Sequence, residues 1–134
     1  MSDAPTADLR VITTEDAPAA IGPYSQAIRA NNLVFTAGQI PLDPATKHVV
    51  PGDVSAQTER VMANLGAVLA AAGSGFDRVL KTTCFLANLD DFPAFNVVYG
   101  RFFGDAPPAR STVQVAKLPL GVLVEVEAVA VAER

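Results

Sequence analysis

The chain has 134 residues, half of them apolar and 18% charged, which is enough to bury one core at the usual size of a single domain, expected here to span residues 1–134. Ten Lys and Arg against fourteen Asp and Glu leave a net charge of −4, so nucleic-acid phosphates and anionic lipid are repelled by the chain as a whole and neither is an expected partner. No stretch approaches the roughly 18 apolar residues that cross a bilayer, and the acidic first residues do not read as an export signal, so a soluble, cytoplasmic chain is expected.

In chain order, MSDAPTAD (1–8) is polar and expected to be loose. Residues 25–30 and 33–37 flank Asn31-Asn32, a pair that tolerates the positive φ of a tight turn, which predicts a hairpin. From Asp53, the apolar residues Val54, Val61, Leu65, Val68 and Leu69 recur at helical spacing; Asp53 can cap the start and Gly73 and Gly75 can end it. Residues 79–86 predict a strand, and residues 91–103 a second helix with Asp90 as its cap and Pro93 in its first turn.

Two strands follow, at 109–116 and 122–131, with LPLG as the turn between them. Arg110, Thr112 and Gln114 share one face of the first, and Leu123, Glu125, Glu127 and Val129 one face of the second. Pairing the two as an antiparallel hairpin on a common core would put Arg110 and Glu125 on the same side of the sheet, away from the helices. A face that mixes Leu123 and Val129 with charged groups is neither plain core nor plain surface, which suggests a subunit interface.

The planar fork of Arg110, on backbone stiffened by Pro107-Pro108, matches a carboxylate or phosphate, although a surface ion pair or simple solvation is the commoner account of a strand arginine taken alone. Glu125 and Glu127, two apart on one face, suit acid–base work or solvation. Ser111 points to the opposite face from Arg110, and His48 lies in a loop without an assigned partner, so a serine-hydrolase triad is not expected. Gly73-Ser74-Gly75 follows a helix and is no phosphate cradle; Cys84, mid-strand, reads as a small core residue. With one cysteine and one histidine, neither a disulfide nor a zinc site can be assembled within the chain. Tyr24, after Gly22-Pro23, is either a packed loop aromatic or a hydroxyl aimed into a cleft.

IGPYSQAI (21–28), FTAGQIPLDP (35–44), KTTCFLANLDDF (81–92), PPARSTV (107–113) and VEVEAVAV (124–131) occur in this order, and together they resemble the RidA/YjgF family of reactive-intermediate deaminases from about Thr13 to Ala132. The resemblance implies an α+β, chorismate-mutase-like fold, with a mixed, mainly antiparallel six-stranded sheet and two helices on one face. It implies homotrimers whose sheets build a central barrel, with sites in clefts between subunits. The implied reaction is hydrolysis of 2-enamine and 2-imine acids, such as 2-aminoacrylate, to 2-keto acids and ammonia, without metal or organic cofactor. In that reading Arg110 holds the substrate carboxylate and Glu125 handles the water, while Tyr24, Gly38, Asn96 and Thr112 line the cleft. Two positions depart from the family: Thr112 stands where cysteine is frequent and Ala37 where serine is. A trimeric binding or regulatory module for 2-keto acids would use the same arginine without turnover. Ribonuclease activity, attached to some relatives, fits poorly with the acidic balance and the lone histidine.

Overall fold

The computed structural model describes residues 8–133. Residues 1–7 of the segment expected to be loose lie outside them, whereas Asp8 is tied down: its N–H donates to Asn31 Oδ1 at 3.1 Å, and its carbonyl accepts from the Asn31 N–H at 3.0 Å. The first strand, β1 (Leu9–Ile12), lies at a sheet edge with Leu9, Arg10 and Val11 all exposed, so it lacks the alternation that marks a half-buried strand. The predicted hairpin forms between β2 (Ala27–Ala30) and β3 (Leu33–Thr36), with Asn31 at φ 54°.

Helix α1 (Val54–Ala71) begins where Asp53 accepts the Ala56 N–H at 3.0 Å. It ends where Gly73, at φ 82°, turns the chain so that the Ser74 N–H reaches the Leu69 carbonyl at 2.8 Å. All five of its predicted apolar positions are buried. Strand β4 (Val79–Leu86) follows, then helix α2 (Phe92–Gly100), shorter than the expected 91–103. A 3-10 turn, Leu89–Asp91, precedes α2, and it is Asn88, not Asp90, whose side chain caps that turn by accepting the Asp90 N–H at 2.9 Å.

Strands β5 (Ala109–Gln114) and β6 (Val124–Val131) complete a six-stranded mixed sheet of order β1-β2-β3-β6-β4-β5. The hairpin expected between β5 and β6 does not form: β4 lies between them, parallel to β5 and antiparallel to β6. The reason is the helix between β4 and β5, since a helical crossover returns the chain parallel to the strand it left. Both helices cover one face of the sheet. There Val61, Met62, Leu65, Val68 and Leu69 of α1 and Phe95 of α2 meet Val34, Cys84, Leu86, Val124, Val126 and Ala130, and all are completely buried. No helix among the described residues is long and apolar enough to cross a membrane.

Candidate active site

Along β6, residues alternate between buried and half-buried, so Val124, Val126 and Ala128 face the helices and Glu125 and Glu127 face away from them. Glu125 lines a pocket of about 520 Å³ together with Ile21, Tyr24, Gly38, Ile40, Pro119 and Leu120. Its carboxylate rests directly against Gly38, where a Cβ would fall 2.0 Å from Oε2. Any side chain there would expel the carboxylate, which is the physical reason for glycine at this position. Paired hydrogen bonds between Gln39 and Val126, of 2.8 and 3.1 Å, hold that backbone alongside β6. Tyr24 is half exposed, and its hydroxyl accepts the Ile21 N–H at 3.3 Å. Ala37 lines the pocket and brings no hydroxyl to it. Burial and, secondarily, the nearby Glu127 raise the Glu125 pKa above the ordinary carboxylate value.

Arg110 is half-buried among the rings of α2, its Cζ 4.9 Å from the Tyr99 ring centre, 5.1 Å from Phe92 and 6.0 Å from Phe95. Its Nη1 donates to Asn96 Oδ1 at 2.8 Å. Among the described residues no carboxylate comes within 4 Å of it, so the ion-pair account of this arginine is not met there. Among the described residues the rest of the guanidinium fork has no hydrogen-bond acceptor, so its remaining N–H groups are available donors. Thr112 lies two residues along the same face, opposite Cys84, and its buried hydroxyl oxygen has no hydrogen-bond partner among the described residues. Burial pushes the Cys84 thiol up to about 11, against smaller opposing effects of the Thr82 hydroxyl and the Arg110 charge, so it stays protonated as a core residue does.

The six expected site residues therefore fall into two groups: Glu125, Tyr24 and Gly38 in one pocket, and Arg110, Asn96 and Thr112 beside α2. Residues directly opposite in paired strands share a face; Arg110 is opposite Thr82, and Glu125 is opposite Phe85, three residues further along β4. An odd separation along one strand changes the face. Within one chain Arg110 is thus on the helix side and Glu125 on the open side, which corrects the expectation that both share a face. Phe92, Phe95 and Tyr99, the rings around the guanidinium, are not revealed by the strand motifs; their signal is the i, i+3, i+7 stripe on α2, with Asn96 at i+4. Among the described residues no three His, Cys, Asp or Glu side chains gather into a group that could hold a metal ion.

A family model described as Endoribonuclease L-PSP matches residues 14–132. The 2-iminobutanoate/2-iminopropanoate deaminase of Mus musculus is 47% identical over 122 residues, 91% of this chain and 90% of that protein. The chain belongs to the RidA/YjgF family. Protein DfrA of Myxococcus xanthus is 57% identical over 124 residues, covering 91% of this chain and 95% of DfrA. Among solved structures of the family, TdcF of E. coli with bound serine superposes with a TM-score of 0.88 at 42% identity, over 92% of this chain and 99% of TdcF. RidA family architecture accounts for the six-stranded mixed sheet and two helices seen here.

Proposed function

We propose that this RidA family chain hydrolyses 2-enamine and 2-imine acids, of the 2-aminoacrylate and 2-iminobutanoate type, to 2-keto acids and ammonia, at sites shared between copies in a homotrimer. The observation that carries the reading is the division of the site: an arginine with no carboxylate partner among the described residues on one side of the sheet, and a glutamate with a raised pKa in a pocket on the other. Neither half can grip and hydrolyse a small acid alone. The open sheet face, with Val11, Phe35 and Val113 exposed, is apolar enough to pack against a second copy and bring one chain's Arg110 to its neighbour's Glu125. The name of the mouse relative supports the reaction, and the serine held by TdcF, a small 2-amino acid, supports the size and charge of the ligand.

In this reading the Arg110 fork holds the substrate carboxylate, kept in position by Asn96 and the rings of Phe92 and Tyr99. The protonated imine carbon is already electrophilic. Glu125 takes a proton from water as the oxygen bonds to that carbon and returns it to nitrogen; the regenerated carboxylate then takes the hydroxyl proton as the C=O bond forms, the C–N bond breaks and ammonia leaves. Desolvation, by raising the pKa of Glu125, makes its carboxylate a better base toward water. Gly38 gives the carboxylate its place, and the Thr112 hydroxyl and Tyr24 complete the two walls.

The test follows keto-acid and ammonia release from 2-iminobutanoate made in situ by a threonine dehydratase. Arg110→Ala and Glu125→Gln are each expected to lower the acceleration on the order of a thousandfold. Subunits of the two variants, mixed in equal amounts and allowed to reassemble, are expected to recover about one quarter of native activity, because that fraction of shared sites joins an intact Arg110 to an intact Glu125. No recovery on mixing would place both residues in one chain's site and overturn the shared arrangement. Keto-acid protection against melting without any acceleration by the native protein would favour a binding module instead.

A further inference from the structure

Leu120 stands in the left-handed region, at φ 57° and ψ 17°, immediately before Gly121 at φ 68°. That conformation is costly for a leucine, and the usual residue for it is glycine or asparagine. Burial in its own chain does not offset the cost, because Leu120 is 69% exposed. The exposed aliphatic group is left free to meet a ligand. Leu120 also lines the rim of the Glu125 pocket, together with Pro119 and the 76%-exposed Ile21.

The chemistry of that pocket is uneven. Glu125 is its one charged lining residue, and Pro18, Ala19, Ile21, Ile40, Leu42, Pro119 and Leu120 leave most of the wall apolar. A substrate carboxylate finds no cation there, so within the proposed shared site the carboxylate goes to Arg110, the iminium carbon to Glu125, and the substrate side chain to the rim. The pocket, about 520 Å³ in the single chain and open on one side, has room for a side chain larger than the methyl group of 2-iminopropanoate. We infer that Leu120 is a specificity residue that makes the protein prefer 2-imino acids with branched or extended aliphatic side chains. This rests on the deaminase reading above and adds its substrate class. Each methylene taken from water against the rim is worth about fourfold in affinity.

The experiment compares native protein with Leu120→Gly, Leu120→Asn and Leu120→Met. Imines are made in situ by an amino-acid oxidase of broad specificity from alanine, 2-aminobutanoate and leucine, and kcat/KM is measured for each. Glycine and asparagine both suit the left-handed backbone but remove the aliphatic group. They are expected to lower the leucine-to-alanine ratio of kcat/KM about fivefold or more, chiefly through KM, while methionine keeps it within about twofold. Melting temperature is expected to rise in Leu120→Gly, as relief of strain requires and as loss of a structural contact would not give. In parallel, thermal protection by 2-oxopropanoate and 4-methyl-2-oxopentanoate reads the same preference without turnover.

A ratio unchanged in Leu120→Gly and Leu120→Asn, in both assays, overturns the inference. So does a uniform loss for every substrate together with weaker association of subunits, which would assign Leu120 to contact between copies. Native protein that accelerates no imine but is protected more by the larger keto acid, in a Leu120-dependent way, would remove the deaminase reading and keep the side-chain subsite.

Discussion

The Glu125 pKa is raised from its ordinary value because burial strips the carboxylate of water and Glu127 adds like charge on the same face. In the unfolded chain the carboxyl regains its ordinary value, so between the two values the folded state binds more protons, and stability falls as pH rises through that interval. The loss is complete above the raised value. Glu125→Gln, which cannot ionise, is therefore expected to be more stable than the native chain at neutral pH and equal to it near about pH 3, below both values; denaturant unfolding at the two pH values checks this. The sequence exposes Glu125 readily, through the alternation of VEVEAVAV. It does not expose why Gly38 is glycine, since the collision a Cβ would make is with a residue 87 positions away, brought near only by the Gln39–Val126 pairing.

At the scale of elements, three buried side-chain amides hold the loops that wall the Glu125 pocket. Gln26 accepts the Thr14 N–H at 2.7 Å and donates to the carbonyls of Thr14, Ala17 and Pro18. Asn64, completely buried on α1, donates to the Ile40 and Leu42 carbonyls at 3.0 and 2.9 Å, and Gln57 accepts the Leu123 N–H at 2.8 Å where β6 begins. Irregular backbone beside a core must satisfy its polar groups, and these amides do it. Asn64→Leu, which takes the side-chain donor from the Leu42 carbonyl and leaves the Ile40 carbonyl only the Leu42 N–H, is expected to cost about 2 kcal/mol in denaturant unfolding. Imine hydrolysis should fall beyond what the unfolded fraction explains, because Ile40 and Leu42 are pocket wall. Asn64 lies with Gln57 and Thr58 on the buried, mainly apolar face of α1, so the helical period places it inward without saying which carbonyls it serves. The β5–β6 pairing shows the same limit: both strands are plain from their alternation, but the crossover through α2, not the turn LPLG, decides their neighbours.

For the whole molecule, the division of the site between two faces of one sheet makes assembly a condition of activity in the proposed reading. Specific activity is expected to fall on dilution, in step with the appearance of single chains by light scattering, and to return on concentration. Activity independent of concentration down to a population of single chains would contradict a shared site.

The sequence by itself determined the elements whose signals are local: the Asn-Asn hairpin, the Asp53 cap, the Gly73 stop and the alternation of β6. Its motifs also carried the family, because their order along the chain survives where any single one is ambiguous. Only the tertiary structure decided that Arg110 faces the helices and Glu125 the open side, that three rings of α2 surround the guanidinium, and that Leu120 stands strained at a pocket rim. Strand periodicity gives the two faces of each strand but not how one strand's faces match another's. That match is set by pairing partners and register, which depend on the crossover between strands and on packing across the whole sheet.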